Sequence, residues 1–197
     1  MMTGRPREFD RTEVLQKAVE LFWERGYQTT SIDDLVEHMG IGRQSLYNTF
    51  GGKESLMQEV IGHYCEEATA PMQQILSAPG SPVGNIKQLF QAIVERCAEG
   101  GTRGCLMVNS AVEFAGSDPN SPILTAIRKG FQSVERGIRN ALKRAIDAGE
   151  LEKNTDPLQQ ATFLAGIMQG MLLMSKTGAS RETLERVAQG AMASLES

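Results

Sequence analysis

The chain has 197 residues, 41 % of them apolar and 22 % charged, with a formal net charge of −4. That is enough apolar residue to bury a core and too little charge for a chain disordered throughout, and no apolar run approaches the ~20 residues of a membrane span. The N-terminus, Met1-Met2-Thr3-Gly4-Arg5-Pro6-Arg7-Glu8, turns basic with no apolar stretch behind it, so a secretion signal is not expected and the cytoplasm is the expected compartment.

Helical spacing runs through nearly the whole chain and predicts an all-α fold. Val14, Ala18, Leu21 and Phe22 recur at the period of an amphipathic helix over about 10–25, which Gly26 closes. Thr30 followed by Asp33 resembles a capping box opening a short helix that buries Ile32, Leu35, Val36 and Met39. Gly40-Ile41-Gly42 breaks that helix. A second short one follows over 43–50, with Leu46 and Phe50 four apart on its inner face, and Gly51-Gly52 ends it. From Lys53 a longer helix runs through Leu56, Met57, Val60, Ile61 and Tyr64. Residues 77–84 read as a loop and 86–97 as a helix with Leu89, Phe90, Ile93 and Val94 inward. After a glycine-rich break at 100–104 come a helix over 105–115 and the longest one, about 121–148. The stripe of that longest helix is Ile123, Ile127, Phe131, Val134, Ile138, Leu142 and Ala145. Residues 157–175 and 180–195 give two more. No period-2 strand pattern and no internal repeat is present.

The chemistry of enzymes and metal sites is missing from this pattern. Cys65, Cys97 and Cys105 are too few and too irregular for a disulfide framework, and His38 and His63 are the only histidines. With no CxxC and no HxxxH, no metal site and no cofactor is expected. There is no glycine-rich phosphate loop and no GxSxG. Cys65 and His63 stand two apart on a helix and do not face each other, so no catalytic residue is assigned and the chain is not expected to be an enzyme.

Two short helices joined by a glycine turn, braced by a longer helix in front, outline a helix-turn-helix. Bulk basicity does not support DNA binding here: residues 1–60 hold 7 Lys+Arg against 10 Asp+Glu. Local placement does. With Leu46 and Phe50 inward, Arg43, Gln44, Tyr47 and Asn48 point out, and Arg, Gln and Asn can pair with purine edges in a major groove. Thr30 and Ser31 open a helix, where free N–H groups favour a phosphate. Lys53 begins the next helix, and Arg5 and Arg7 form a basic arm suited to an adjacent minor groove. An interaction module that uses these helices without DNA is the alternative reading, and it would leave DNA binding untouched by Arg43→Ala and Gln44→Ala.

At this point the chain resembles a family. Ala18-Val19-Glu20-Leu21-Phe22, Gly26-Tyr27, Thr29-Thr30-Ser31-Ile32, Met39-Gly40-Ile41 and, above all, Ser45-Leu46-Tyr47-Asn48-Thr49-Phe50-Gly51-Gly52-Lys53-Glu54-Ser55-Leu56 are similar to the DNA-binding domain of TetR-type transcriptional regulators. The resemblance covers roughly the first third of the chain. It implies a helix-turn-helix domain of three helices over 1–52 and a helical effector-binding and dimerisation domain over 53–197. DNA contacts carry over to Thr30, Arg43, Gln44, Ser45, Tyr47, Asn48 and Lys53. Asn48-Thr49 departs from the aromatic or His pair of many members, so base preference does not transfer.

The resemblance further implies a ligand-responsive regulator, most often a repressor, that binds double-stranded DNA at an inverted-repeat operator as a homodimer. It places an effector cavity among the middle helices, with Phe90, Ile93, Cys97, Met107, Val108, Ala111, Phe114, Phe131 and Val134 as candidate lining. No ion pair interrupts these stripes, so a small, largely apolar effector is expected, with Asn109, Glu113 and Gln132 as polar candidates within its reach. Cys105, after Gly104 and near Arg103 at a helix start, is the candidate thiol for an electrophilic one. The effector is expected to tilt the helix bearing Val60, Ile61 and Tyr64 and so change the spacing of the two recognition helices. For the dimer, Leu158, Ala161, Ala165, Met168 and Leu172 share one face and Leu184, Val187, Ala188, Ala191 and Leu195 another, with Gly166 and Gly170 four apart.

Overall fold

The computed structural model describes residues 9–99 and 103–195, so the proposed arm at Arg5 and Arg7 lies outside the described residues. Among the described residues there are nine helices and no strand: α1 (Arg11–Arg25), α2 (Ile32–Met39), α3 (Arg43–Phe50), α4 (Lys53–Ser77), α5 (Pro82–Glu99), α6 (Leu106–Glu113), α7 (Pro122–Asp147), α8 (Pro157–Lys176) and α9 (Arg181–Ala193).

The ends of these helices follow from residue chemistry. Asp10 caps α1 by accepting the N–H groups of Thr12 and Glu13. At the other end Gly26, at φ 84°, donates its N–H to the Phe22 carbonyl. The capping box of α2 lies one residue later than the sequence pattern predicts: Ser31 is the cap and Asp34 its reciprocal partner. Thr30 faces inward instead. It is fully buried, and its hydroxyl donates to the Gly26 carbonyl at 2.6 Å. Pro82 opens α5 four residues earlier than expected. Its missing N–H costs nothing at a helix start, and Glu150 accepts both the Ser81 hydroxyl (2.8 Å) and the Val83 N–H (2.9 Å) there.

Helix α4 ties the molecule together. It runs unbroken through Pro71 to Ser77, well past the stripe that ends at Tyr64, and carries Met72 and Leu76 into the core. It packs against α1 and α3 on the N-terminal side of the chain and against α5, α6 and α7 on the other. The close approach to α7 depends on two glycines. A Cβ on Gly130 would lie 2.6 Å from Met107 Sδ and 2.7 Å from Cys65 Sγ. One on Gly137 would lie 2.7 Å from Gln73 Oε1. One apolar cluster extends from Val14 to Leu195 and includes the inward residues of all nine helices.

Candidate nucleic-acid interface

Burial of Leu46 and Phe50 fixes the rotation of α3, and its outer face then follows. Arg43, Gln44, Tyr47 and Asn48 are exposed, Tyr47 at 45 % of its full area, and no other part of the described chain covers them. Ser45 is half-buried. The outer side chains are held ready. Gln44 Nε2 donates to Asn48 Oδ1 at 2.9 Å, one helical turn away, and Arg43 pairs with Asp33 of α2 at 2.5 Å. Asp33 holds the Arg43 guanidinium above its ordinary pKa, first through the hydrogen bond and then through charge, so this cation persists at every working pH.

Two of the groups expected to face phosphate have their donors spent within the chain. The Thr30 side chain does not reach the surface, because its hydroxyl is spent on Gly26, so its expected place as a contact is corrected. Ser31 is exposed, but Asp34 accepts both its N–H (2.8 Å) and its hydroxyl. Those bonds, with Arg25 at 3.1 Å, hold the Asp34 carboxyl below its usual range. The start of α2 therefore already carries a carboxylate. Lys53 is half-buried at the start of α4, with Nζ 4.2 Å from the centre of the Tyr27 ring, and burial lowers its pKa.

The group that anchors this unit to the rest of the chain is Glu113, which the sequence reading places as a polar candidate at the effector cavity and whose carboxylate is instead spent on backbone. Glu113, at the end of α6, accepts the N–H of Tyr27 at 2.9 Å and that of Gln28 at 2.6 Å, both in the turn before α2. The Tyr27 ring packs against Phe22 (6.0 Å) and Phe114 (4.9 Å). A carboxylate 86 residues away in sequence gives no local signal.

The candidate effector residues fall into two sets. Cys97, Cys105, Met107, Val108, Phe114 and Val134 are buried in the core with Phe90 and Ile93, while Ala111 and Phe131 pack against it half-buried. Cys105 caps α6 and is only 2 % exposed. The Tyr64 hydroxyl lies 3.6 Å from its sulfur and accepts from Arg96 at 2.6 Å. Arg103 does not sit on this thiol. Its guanidinium stacks over Trp23, 5.1 Å from the ring centre. Burial pushes the neighbouring Cys65 thiol up to about 12, and Cys65 donates to Met107 Sδ at 3.0 Å.

Most of the expected dimer face is spent inside the protomer. Ala161, Ala165, Met168 and Leu172 of α8, with Leu184, Ala191 and Leu195, are buried, and α8 and α9 pack on α5 and on each other. Val187 and Ala188 are half-buried, and only Leu158 stays outside, at 50 %. A different seam of α8 is open: Phe163 and Leu173 are 45 % and 47 % exposed, and beside Gly166 and Gly170 a Cβ would meet nothing within 4 Å. Three- and four-residue steps put these four side by side.

Two family descriptions match the chain. Residues 14–60 match bacterial regulatory proteins of the tetR family, and residues 82–191 match the tetracyclin repressor-like C-terminal domain. An uncharacterised HTH-type transcriptional regulator, YezE of Bacillus subtilis (strain 168), is 34 % identical over 92 % of this chain and 94 % of its own length. The HTH-type transcriptional repressor ComR of Escherichia coli (strain K12) is 32 % identical over 94 % and 88 %. Among solved structures, a cysteine variant of the TetR family transcriptional regulator CifR, complexed with 26-bp double-strand operator DNA, superposes with a TM-score of 0.87. It is 32 % identical and covers 98 % of this chain and 100 % of that one.

Proposed function

This chain belongs to the TetR family of DNA-binding transcriptional regulators, and from that premise we propose that it is a repressor that a small effector releases from an inverted-repeat operator. The observation that carries this reading is the uncovered outer face of α3, where Arg43, Gln44, Tyr47 and Asn48 stand together on a rod about two turns long. Arg43 and Gln44, near the start of α3, read base edges. Tyr47, Lys53 and Ser45 position the backbone, and Arg5 and Arg7 serve the minor groove. Docking breaks the Arg43–Asp33 pair, and Asp33 and Asp34 then repel phosphates that approach the wrong side of α2.

The operator requires two copies of α3 about 34–36 Å apart for half-sites one turn apart, hence a homodimer. We place its seam on the open side of α8, at Phe163, Gly166, Gly170 and Leu173, where the glycines let the two helices approach closely. Residues 1–52 form the DNA-binding unit and 53–197 the effector and dimer unit, in the cytoplasm where the operator lies. Movement in the effector unit reaches α3 by two routes, the shared helix α4 and the Glu113 bridge to the turn before α2. The effector is small and largely apolar, and an electrophilic one would act at Cys105. Selection from a random DNA pool tests the reading: an inverted repeat is expected, and loss of its base preference in Arg43→Ala and Gln44→Ala. A pool that returns no enriched sequence would overturn it.

A further inference from the structure

One face of α1 carries Gln16, Val19 and Trp23, spaced three and four apart, and this face does not close against α5. Between α1, α4 and α5 it leaves a groove of about 340 Å³, whose walls are mostly apolar: Val19, Ala68, Pro71, Met72, Ile75, Leu89 and Ile93. That volume lies at the small end of ligand sites. Trp23 and Arg96 form one end of the groove and also line an adjoining cavity of about 330 Å³, which Arg103 borders.

Three groups at this end have unused donor capacity. The indole Nε1 of Trp23 is buried without a hydrogen-bond partner among the described residues, which proteins rarely tolerate. Arg96 spends one donor on the Tyr64 hydroxyl, and its fork holds five. Arg103 is stacked on Trp23 by its flat face, which leaves its edge free. Neither guanidinium is ion-paired with a described carboxylate. Of the carboxylates nearby, Glu67 lines the groove on α4, one turn from His63, and Glu99 lines the outer cavity; neither is within ion-pair distance of Arg96 or Arg103. At the far end, two turns down α1, the buried Gln16 Oε1 also lacks a partner.

We propose that this groove binds a small amphipathic carboxylate, its head on Arg96, Arg103 and the Trp23 indole N–H and its apolar body between Pro71, Met72, Leu89 and Ile93. The charge complementarity is specific to an anion. A neutral alcohol of the same length gains the apolar contacts and none of the charge-assisted bonds. The site lies at the boundary between α1 of the DNA-binding unit and α4 and α5, and the Tyr64 hydroxyl, bonded to Arg96 at 2.6 Å, separates it from Cys105. It goes beyond the regulator reading and stands whether or not that reading holds.

Trp23 is the only tryptophan of the chain and so reports from the groove itself. The test is titration of octanoate and of octanol into the full-length protein, followed by Trp23 emission, without DNA. Octanoate is expected to give a saturable change and to bind at least tenfold more tightly than octanol. Arg96→Gln should weaken octanoate about tenfold and leave octanol unchanged. Ala92→Phe, which fills the groove from α5, should abolish both signals. Circular dichroism confirms that each variant is folded. Octanoate affinity unchanged in Arg96→Gln and in Arg103→Gln, or equal affinities for the two probes, would overturn the proposal. A signal that survives Ala92→Phe would place the ligand elsewhere and overturn it too. Operator binding is measured separately, so a failure here leaves the DNA reading standing, and a failure there leaves this one.

Discussion

Removing the Glu113 carboxylate should loosen the turn that precedes the helix-turn-helix. Two backbone donors, Tyr27 N–H at 2.9 Å and Gln28 N–H at 2.6 Å, converge on this one side chain from α6. A hydrogen bond to a charged group contributes ~1.5–3 kcal/mol, toward the lower end where water can replace it. Tyr27 is half-buried and Gln28 exposed, so two bonds at that lower end should make Glu113→Ala cost the turn about 3 kcal/mol of local stability in all. Native-state amide exchange reads this directly. One factor of ten per ~1.4 kcal/mol gives roughly 150-fold faster exchange at these two amides, with the core amides of α7 unchanged. Glu113→Gln keeps one acceptor, turns its NH2 toward the second donor, and should show about half the effect. Because Tyr27 also packs on Phe22, Phe114 and Lys53, operator affinity should fall several-fold in Glu113→Ala while helix content stays constant. Wild-type exchange rates at Tyr27 and Gln28 in Glu113→Ala would refute the bridge.

Arg43→Ala and Gln44→Ala should each cost ~1–3 kcal/mol of operator affinity and relax preference at one base pair, measured by fluorescence anisotropy across a set of single-site operators. Phe163→Asp combined with Leu173→Asp should leave a folded monomer in sedimentation that no longer holds an inverted repeat; a dimer in that variant would move the seam elsewhere. Gly130→Ala should destabilise the fold by ~1–3 kcal/mol in urea titration, since its Cβ would stand 2.6 Å from Met107 Sδ and 2.7 Å from Cys65 Sγ, and Gly137→Ala should destabilise it too, because the end of Gln73 must move and give up its 2.9 Å bond to the Ser133 carbonyl. Burial raises the Cys65 pKa from 9.0 to about 12, so the unfolded chain ionises there before the folded one does. The stability it contributes is complete below pH 9 and is lost as pH rises toward 12, and Cys65→Ala should flatten stability curves over that window.

The helical order and the reading face were written in local chemistry. Leu46 and Phe50 stand four apart, and only one rotation of an eight-residue helix buries both, so Arg43, Gln44, Tyr47 and Asn48 had to point out. Capping needed neighbours in space as well as in sequence. Thr30 and Ser31 are both capping residues by composition, and only the depth of Thr30 beneath Gly26 decides that Ser31 takes the role. The helices at the C-terminal end show the same limit. Both faces of α8 carry apolar or small residues, so periodicity marks a buried side without saying whether it meets this chain or a second copy. Packing on α5 and α7 assigned Ala161, Ala165, Met168 and Leu172 to the core and left Phe163 and Leu173 outside.

By itself the sequence determined nearly every helix and the side chains on the exposed face of α3, because both depend on spacings within two turns. Tertiary structure alone decided the Glu113 bridge, the α4–α7 approach at Gly130 and Gly137, and the groove beside Trp23. Each joins residues tens of positions apart whose meeting is set by how whole helices stack, and no local pattern encodes that.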